Sequence, residues 1–132
     1  MKTFIQKTLV IAIFVFSFTS LVSAQTTICF DLKITDNCSG EWNGYYTTRV
    51  SVLYMGNSYC GHTFYNLNSG TTNDLSYSCS DLPLDYLSPV YTVAVTVCRQ
   101  QENSDCCGSD TEGPMNYYEL DDCDYLLDVT LN

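Results

Sequence analysis

Eight cysteines are the residues with the clearest chemistry in this sequence. All lie after residue 24, and an even number of cysteines in a small exported domain predicts disulfide bonds, here four. Cys106 and Cys107 are adjacent, so we expect them to pair with two different partners, because a ring between neighbours is strained. Zinc is a poor alternative, since there is no pair of C-x-x-C motifs and His62 is the only histidine. The predicted disulfide residues, with partners unassigned, are Cys29, Cys38, Cys60, Cys79, Cys98, Cys106, Cys107 and Cys123.

Carboxylates are concentrated towards the C-terminus, where nine of the 15 lie in the last 31 residues. Calcium binds about six to eight oxygen ligands, many of them carboxylate oxygens. Asp121, Asp122 and Asp124 form the most compact group, and we take them as candidate calcium ligands, although their spacing is not that of an EF-hand loop. The alternative is an acidic, solvated surface.

Aromatic residues and a sequon mark the loop at residues 35–44. Trp42, Tyr45 and Tyr46 lie in or beside this polar loop, where flat rings could stack on a sugar or a protein partner. The competing interpretation is that these rings cover the edge of a core. Asn37 begins the only N-x-S/T sequon and is the candidate glycosylation site.

Catalytic patterns are weak. His62 has no nucleophile or acid at a motif spacing, no G-x-S-x-G is present, and the cysteines are expected in disulfides. We therefore interpret His62 as a surface imidazole and expect a protein without enzymatic activity.

Strands must position these groups. Residues 90–99 read V-Y-T-V-A-V-T-V-C-R, with strict alternation and small or apolar residues on both faces, which predicts a central strand that Cys98 joins to a neighbour. Similar alternation predicts strands over residues 28–34, 46–54, 59–67, 75–79 and 125–131, the second and third joined in a hairpin by a turn at 56–58.

Two segments have no strand pattern. Residues 81–89 contain two prolines and predict a packed loop or one short helical turn. Residues 100–116 have no apolar period and predict a loop held by the paired cysteines. With only one alanine after residue 24, helix is disfavoured, and we predict an all-β fold, an antiparallel β-sandwich of about six to eight short strands. A barrel is the less favoured alternative.

The N-terminus reads as a secretory signal peptide over residues 1–24, with Lys2 and Lys7, a short apolar run, and small residues at its end. A membrane anchor is disfavoured because the run is shorter than the roughly 20 residues that span a bilayer. Residues 25–132 are then one domain with the cations Lys33, Arg49 and Arg99 against 15 carboxylates, a net charge of −12. Nucleic acid and anionic membranes are excluded as partners.

These observations predict a secreted, extracellular, non-enzymatic structural or adhesion module that acts through protein contacts. Self-assembly into a filament or surface layer is part of this hypothesis, with the terminal strands at 28–34 and 125–131 as candidate sheet edges. The favoured alternative is that these two strands simply complete one sandwich. One alternative is a carbohydrate-binding module, with calcium as its candidate cofactor. A second is a small effector or inhibitor that binds its target through residues 100–116.

Overall fold

The computed structural model describes residues 25–132, which form seven strands and one short 3-10 helix, η1. The predicted signal peptide, residues 1–24, lies outside the described residues. The elements in chain order are β1 (Thr26–Asp36), β2 (Tyr46–Tyr54), β3 (Asn57–Leu67), β4 (Thr72–Cys79), β5 (Tyr91–Arg99), β6 (Cys107–Met115), η1 (Tyr117–Asp121) and β7 (Leu126–Leu131).

The strands form two sheets, and the prediction of an all-β sandwich is confirmed. The three-stranded sheet has the order β4-β1-β7, and the four-stranded sheet has the order β3-β2-β5-β6. β5 lies between two strands, as its apolar pattern predicted. One pair differs from the expected antiparallel arrangement, because β1 and β7 run parallel. These two strands stand at opposite ends of the chain, so no tight turn forces them to be antiparallel.

The core follows the alternation of the sequence. β1 directs Ile28, Phe30, Leu32 and Ile34 inward, each fully buried. The facing sheet contributes a row of valines, and the burial of each such side chain stabilises the fold by about 1.5–3 kcal/mol. The buried valines of β2 and β5 are Val50, Val52, Val93, Val95 and Val97.

β6 corrects the prediction of a loop over residues 100–116, because residues 107–115 form an edge strand. Its inward positions include Gly108 and Asp110, which meet the backbone of β7 rather than the apolar core. A Cβ at Gly108 would overlap the carbonyl oxygen of Thr130, and the Asp110 carboxylate accepts the Asp128 backbone N–H at 3.0 Å. Such a strand needs no apolar side chain on that face, so it shows no hydrophobic period.

Of the two terminal strands considered as sheet edges, β7 is one and β1 is not. β1 is the middle strand of its sheet and has no free edge. β7 is an outer strand, but β6 of the other sheet packs beside it, and the Asn132 backbone N–H approaches the Cys107 carbonyl at 3.5 Å. Neither terminal strand therefore has the open edge that strand addition requires.

Four disulfides are present, as predicted, and no cysteine of residues 25–132 is free. Adjacent Cys106 and Cys107 have different partners, and the predicted link from Cys98 joins β5 to β6. One bridge joins β3 of one sheet to β4 of the other, so it ties the two layers together. The pairs are Cys29–Cys123, Cys38–Cys106, Cys60–Cys79 and Cys98–Cys107.

The connections gather at two ends of the sandwich. The hub end consists of residues 37–45, 68–71 and 100–106. The tyrosine end consists of residues 55–56, 80–90 and 116–125. Within residues 25–132, no helix is long and apolar enough to cross a membrane.

Candidate functional site

A buried ion pair organises the hub end. Arg99, at the end of β5, donates from Nε to Oδ2 of Asp36 at 2.8 Å and from its terminal nitrogen to Oδ1 at 3.0 Å. The Tyr46 hydroxyl and the Cys38 backbone N–H donate to the same carboxylate at 2.8 and 3.0 Å. The side chains of Arg99 and Asp36 are only 9% and 10% exposed. The guanidinium hydrogen bonds, helped by those from Tyr46 and Cys38, lower the pKa of Asp36 despite its burial.

Arg99 also orders the loop beside it. Its remaining N–H groups donate to the carbonyl oxygens of Cys38, Ser39 and Gly40, and its guanidinium carbon lies 5.6 Å from the centre of the Trp42 ring. A guanidinium with all these partners has little capacity left for a ligand. The ion pair therefore acts as a structural clamp on residues 37–44.

A metal does not fit the hub. In residues 25–132, only one set of three or more His, Cys, Asp or Glu residues has its possible metal-ligand atoms within 4.8 Å of one another. It consists of Asp36, Cys38 and Cys106. The two cysteines are joined in a disulfide, so neither offers a thiolate. The third member, Asp36, is already paired with Arg99.

The candidate sugar-binding aromatics do not share one open surface. Tyr46 is 2% exposed and is bonded to Asp36, while the half-buried Trp42 faces Arg99. Tyr45, with 54% exposure, is the one ring of the three that is open to solvent. Asn37 is exposed directly after β1, as an acceptor of glycan must be, and its glycosylation stays a prediction.

The candidate calcium ligands Asp121, Asp122 and Asp124 are exposed around Cys123, and they form no convergent ligand group within the described chain. Calcium binding there stays a prediction without support from these side chains. The carboxylates that do meet are Asp31 and Asp74, directly opposite each other on β1 and β4. A hydrogen bond between them raises the pKa of Asp31, and burial, the Asp74 charge and Asp124 add to the shift.

At the tyrosine end, a buried tyrosine holds the loop of residues 80–90. The Tyr91 hydroxyl donates to the Pro83 carbonyl and accepts the Asp85 backbone N–H at 2.7 Å. The Asp85 carboxylate in turn accepts the backbone N–H groups of Leu87 and Ser88 at 3.0 and 3.2 Å. Residues 81–89 thus form the packed loop that was predicted, with no helical turn.

The loop tip meets η1 in an exposed aromatic cluster. Tyr86, Leu87 and Tyr118 are 47%, 94% and 63% exposed. The Tyr86 ring lies 5.1 Å from that of Tyr117 and 5.5 Å from that of Tyr118. Tyr117 also contacts the buried Tyr91 ring at 5.7 Å, which connects the cluster to the core. We call Tyr86, Leu87, Tyr117 and Tyr118 the tyrosine patch.

Sequence reasoning missed the tyrosine patch. The two halves of the patch, Tyr86-Leu87 and Tyr117-Tyr118, stand about thirty residues apart in the sequence, in segments without an apolar period. The available clue was that Tyr86-Leu87, between two prolines, and Tyr117-Tyr118 had no strand to explain their apolar character.

His62, the only histidine, is exposed at the side of the sandwich. Its ring stacks on that of Tyr77 at 5.3 Å with an interplanar angle of 15° and meets the edge of Phe64 at 4.6 Å. This is the surface imidazole that was predicted, and its contacts are those of a packing residue.

Comparisons with known protein families, curated proteins and solved structures found no match to this chain. Function is therefore inferred from geometry. Two features stand out as open to a partner, namely the tyrosine patch and a cleft on the four-stranded sheet.

Proposed function

We propose that this protein is a secreted, non-enzymatic module of an extracellular assembly that holds a protein partner at the tyrosine patch. The observation that carries the proposal is the exposure of Leu87, 94%, beside the exposed rings of Tyr86 and Tyr118. Contiguous exposed apolar surface with a polar rim is typical of protein-binding sites. Tyrosine is among the residues that contribute most binding energy at such sites, because its ring buries a large area with few rotatable bonds.

The patch is held rigidly, which favours binding. Tyr91 and Asp85 fix the loop that bears Leu87, and the Glu119 carboxylate accepts the Asn116 backbone N–H at the start of η1. Cys123, shortly after η1, is bonded to Cys29 of β1. A surface already ordered before binding loses less conformational entropy when the partner docks.

Charge indicates the kind of partner. The two segments that carry the patch, residues 80–90 and 116–125, contain no lysine or arginine. The acidic residues close to the patch in sequence are Asp81, Asp85, Glu119, Asp121 and Asp122. A partner with an apolar centre and a basic rim would complement this surface. A second copy would not, since residues 25–132 carry a net charge of −12 and repel each other at low ionic strength. Of the two forms of assembly, charge therefore favours a different, basic protein over self-association.

Four disulfides fit an oxidising, extracellular setting, in which a module must persist without repair. Secretion itself belongs to the proposal. Residues 25–132 contain only three lysines and arginines in total, so this part of the chain offers trypsin-like proteases few cleavage sites.

The test is site-specific crosslinking on extracellular material from the producing organism. A photoreactive residue in place of Leu87 should give a discrete adduct with one protein, while the same residue in place of Tyr45, exposed at the hub end, should give none. Leu87→Ser with Tyr118→Ser should abolish binding of the labelled mature protein without a change in its circular dichroism spectrum. Equal adducts at both positions, or full binding by the double variant, would refute the proposal.

Sizing decides between the two forms of assembly. We expect the purified protein to stay monomeric from low to high salt. Oligomers that form as salt increases, and that Leu87→Ser dissolves, would show self-assembly through the patch and contradict the basic partner.

A further inference from the structure

A second open surface lies on the outer face of the four-stranded sheet. A cleft of about 600 Å³ is bounded by the strands β2, β3 and β5 and by the first residues after β5. Arg49 of β2 and Tyr65 of β3 both line it, with Thr47, Thr96, Gln101 and Glu102 among the other lining residues. Its size is that of sites which bind one small ligand, roughly 300–1,000 Å³.

The charge of Arg49 distinguishes this cleft. Of the three cations in residues 25–132, Lys33 pairs with Asp128 at 3.8 Å and Arg99 with Asp36, whereas Arg49 has no carboxylate within ion-pair distance. The guanidinium presents a planar fork of donors that matches the two oxygens of a carboxylate.

The strands around Arg49 carry no other charge on this face. Alternation from the buried residues places hydroxyl, small and aromatic side chains outward on β2, β3 and β5. The outward residues within these strands are Thr47, Arg49, Ser51, Leu53, Gly61, Thr63, Tyr65, Thr92, Ala94, Thr96 and Cys98. Threonine hydroxyls donate and accept hydrogen bonds, as the hydroxyls of a sugar do.

Tyr65 lines the cleft beside a hydrogen-bonded pair that joins two strands. It is 62% exposed, and the next residue, Asn66, makes two hydrogen bonds with Gln100. The Asn66 backbone N–H donates to Oε1 of Gln100 at 2.8 Å, and Nε2 of Gln100 donates to Oδ1 of Asn66 at 3.1 Å. This pair joins the end of β3 to the end of β5 and so fixes the backbone beside the cleft that Tyr65 and Arg49 line.

We infer that the cleft binds a single sugar that bears a carboxylate, with Arg49 on the carboxylate, Tyr65 against the ring, and Thr47 and Thr96 at the hydroxyls. This ligand combines the anion that an unpaired guanidinium attracts with the hydroxyls and apolar ring face that the remaining walls accept. It goes beyond the protein contact at the tyrosine patch, which lies at the opposite end of the strands.

The net charge of −12 limits the size of the anion. A polymer with many carboxylates would be repelled by the rest of the molecule, and Glu102 at the rim adds to that repulsion. One terminal acidic sugar has a single charge, which the close contact with Arg49 can neutralise. A uronic acid and a sialic acid both have this chemistry.

The experiment is a titration of the disulfide-bonded protein, followed by its amide NMR spectrum, with glucuronate, N-acetylneuraminate, glucose and polygalacturonate. We expect saturable shifts at Thr47 and Thr96 with at least one of the two acidic monosaccharides and none with glucose. The acid that binds more tightly identifies the source. Binding of polygalacturonate alone, or equal binding of glucose, would overturn the inference.

Charge-matched variants distinguish binding at a specific site from nonspecific electrostatic attraction. Arg49→Met should weaken binding at least tenfold, and Arg49→Lys should bind less tightly than the wild type because an ammonium lacks the bidentate fork. Lys33→Met removes the same charge from the outer face of the other sheet and should leave the affinity unchanged. Equal losses in Arg49→Met and Lys33→Met would show nonspecific attraction and refute the site. Leu87→Ser should not alter sugar binding, so failure here is distinct from failure of the tyrosine patch.

Discussion

The two ends of the sandwich use tyrosine and carboxylate groups in opposite ways. At the hub end, Tyr46 is 2% exposed and donates its hydroxyl to Asp36, which also binds Arg99. At the tyrosine end, the buried Tyr91 holds a loop so that Tyr86 and Leu87 remain exposed. At one end, the groups of the ion pair and the Tyr46 hydroxyl bind each other, whereas the polar groups at the other end support an apolar surface that has no partner within the described chain. This difference separates a structural end from the end that we propose binds a partner.

The most damaging change should be the loss of one half of the ion pair. Asp36→Asn leaves the Arg99 guanidinium without its counter-charge, and removal of one partner from a buried pair is strongly destabilising. We expect the Tm to fall by on the order of 10 °C or more. Glu41→Gln, which alters an exposed acid of the same loop, is the control and should leave the Tm within a few degrees. An equal Tm in both variants would contradict the structural role of the hub.

The disulfide of the tyrosine end comes next. Cys29→Ser with Cys123→Ser opens a bridge that spans 94 residues and should lower the free energy of unfolding by about 2–4 kcal/mol. The bridge Cys98–Cys107 spans 9 residues, so in the chain-entropy account its removal should cost less. Chemical denaturation followed by the fluorescence of Trp42, the only tryptophan, measures both. A larger loss for the short bridge would show that native contacts, not chain entropy, dominate.

Acid should affect the two shifted aspartates in opposite directions. Asp36 has a lowered pKa, so its contribution to stability is present above its ordinary pKa of 3.8 and is lost as the pH falls through the folded value. Asp31 has a raised pKa, so its ionisation opposes folding above that range and has no effect well below it. Because solvent screens these two surface carboxylates, we expect Asp31→Asn to raise the Tm only slightly at pH 7 and to leave it unchanged near pH 2.

Thermal unfolding over pH 2–7 measures both effects. The destabilisation by Asp36→Asn should shrink as the pH falls through the lowered pKa of folded Asp36, because the wild-type carboxyl then also becomes neutral. A Tm difference for Asp31→Asn that stays constant with pH would show that the Asp31–Asp74 interaction is not electrostatic.

The smallest effect on stability is expected at the tyrosine patch. Leu87→Ser changes a side chain that is 94% exposed, so the free energy of unfolding should stay within about 0.5 kcal/mol of the wild type. The same change should reduce binding of the protein partner at least tenfold. Loss of stability comparable to that of Asp36→Asn would show that Leu87 serves the fold and would remove the contrast between the two ends.

Strand prediction succeeded where side chains alternate against the core and failed where backbone packs on backbone. β5 and β2 were predicted closely, because their inward valines repeat at every second residue. β6 was missed, since Gly108 and Asp110 face the backbone of β7. No local periodicity records a neighbour that lies far along the chain.

The candidate sites were likewise predicted well where local sequence decides them and poorly where contacts between distant segments decide them. The number of cysteines predicted four disulfides, and the adjacency of Cys106 and Cys107 predicted that each pairs with a different cysteine. Trp42 and Tyr46 were candidates for ligand binding, with the covering of a core edge as the alternative, and the structure shows Arg99 against the Trp42 ring and Asp36 bonded to the Tyr46 hydroxyl. Arg49 and Arg99 look alike in the sequence, and only their surroundings separate an unpaired cation from a buried one.

The sequence by itself determined the fold class, the oxidised cysteines and the acidic charge, because each follows from residue type and from spacing within ten residues or so. Tertiary structure decided which cysteines pair, why β1 and β7 run parallel, and which tyrosines stay outside. Those outcomes depend on contacts between segments distant in the chain, whose free energies appear only when both segments are packed together. The two open surfaces of this protein belong to that second group.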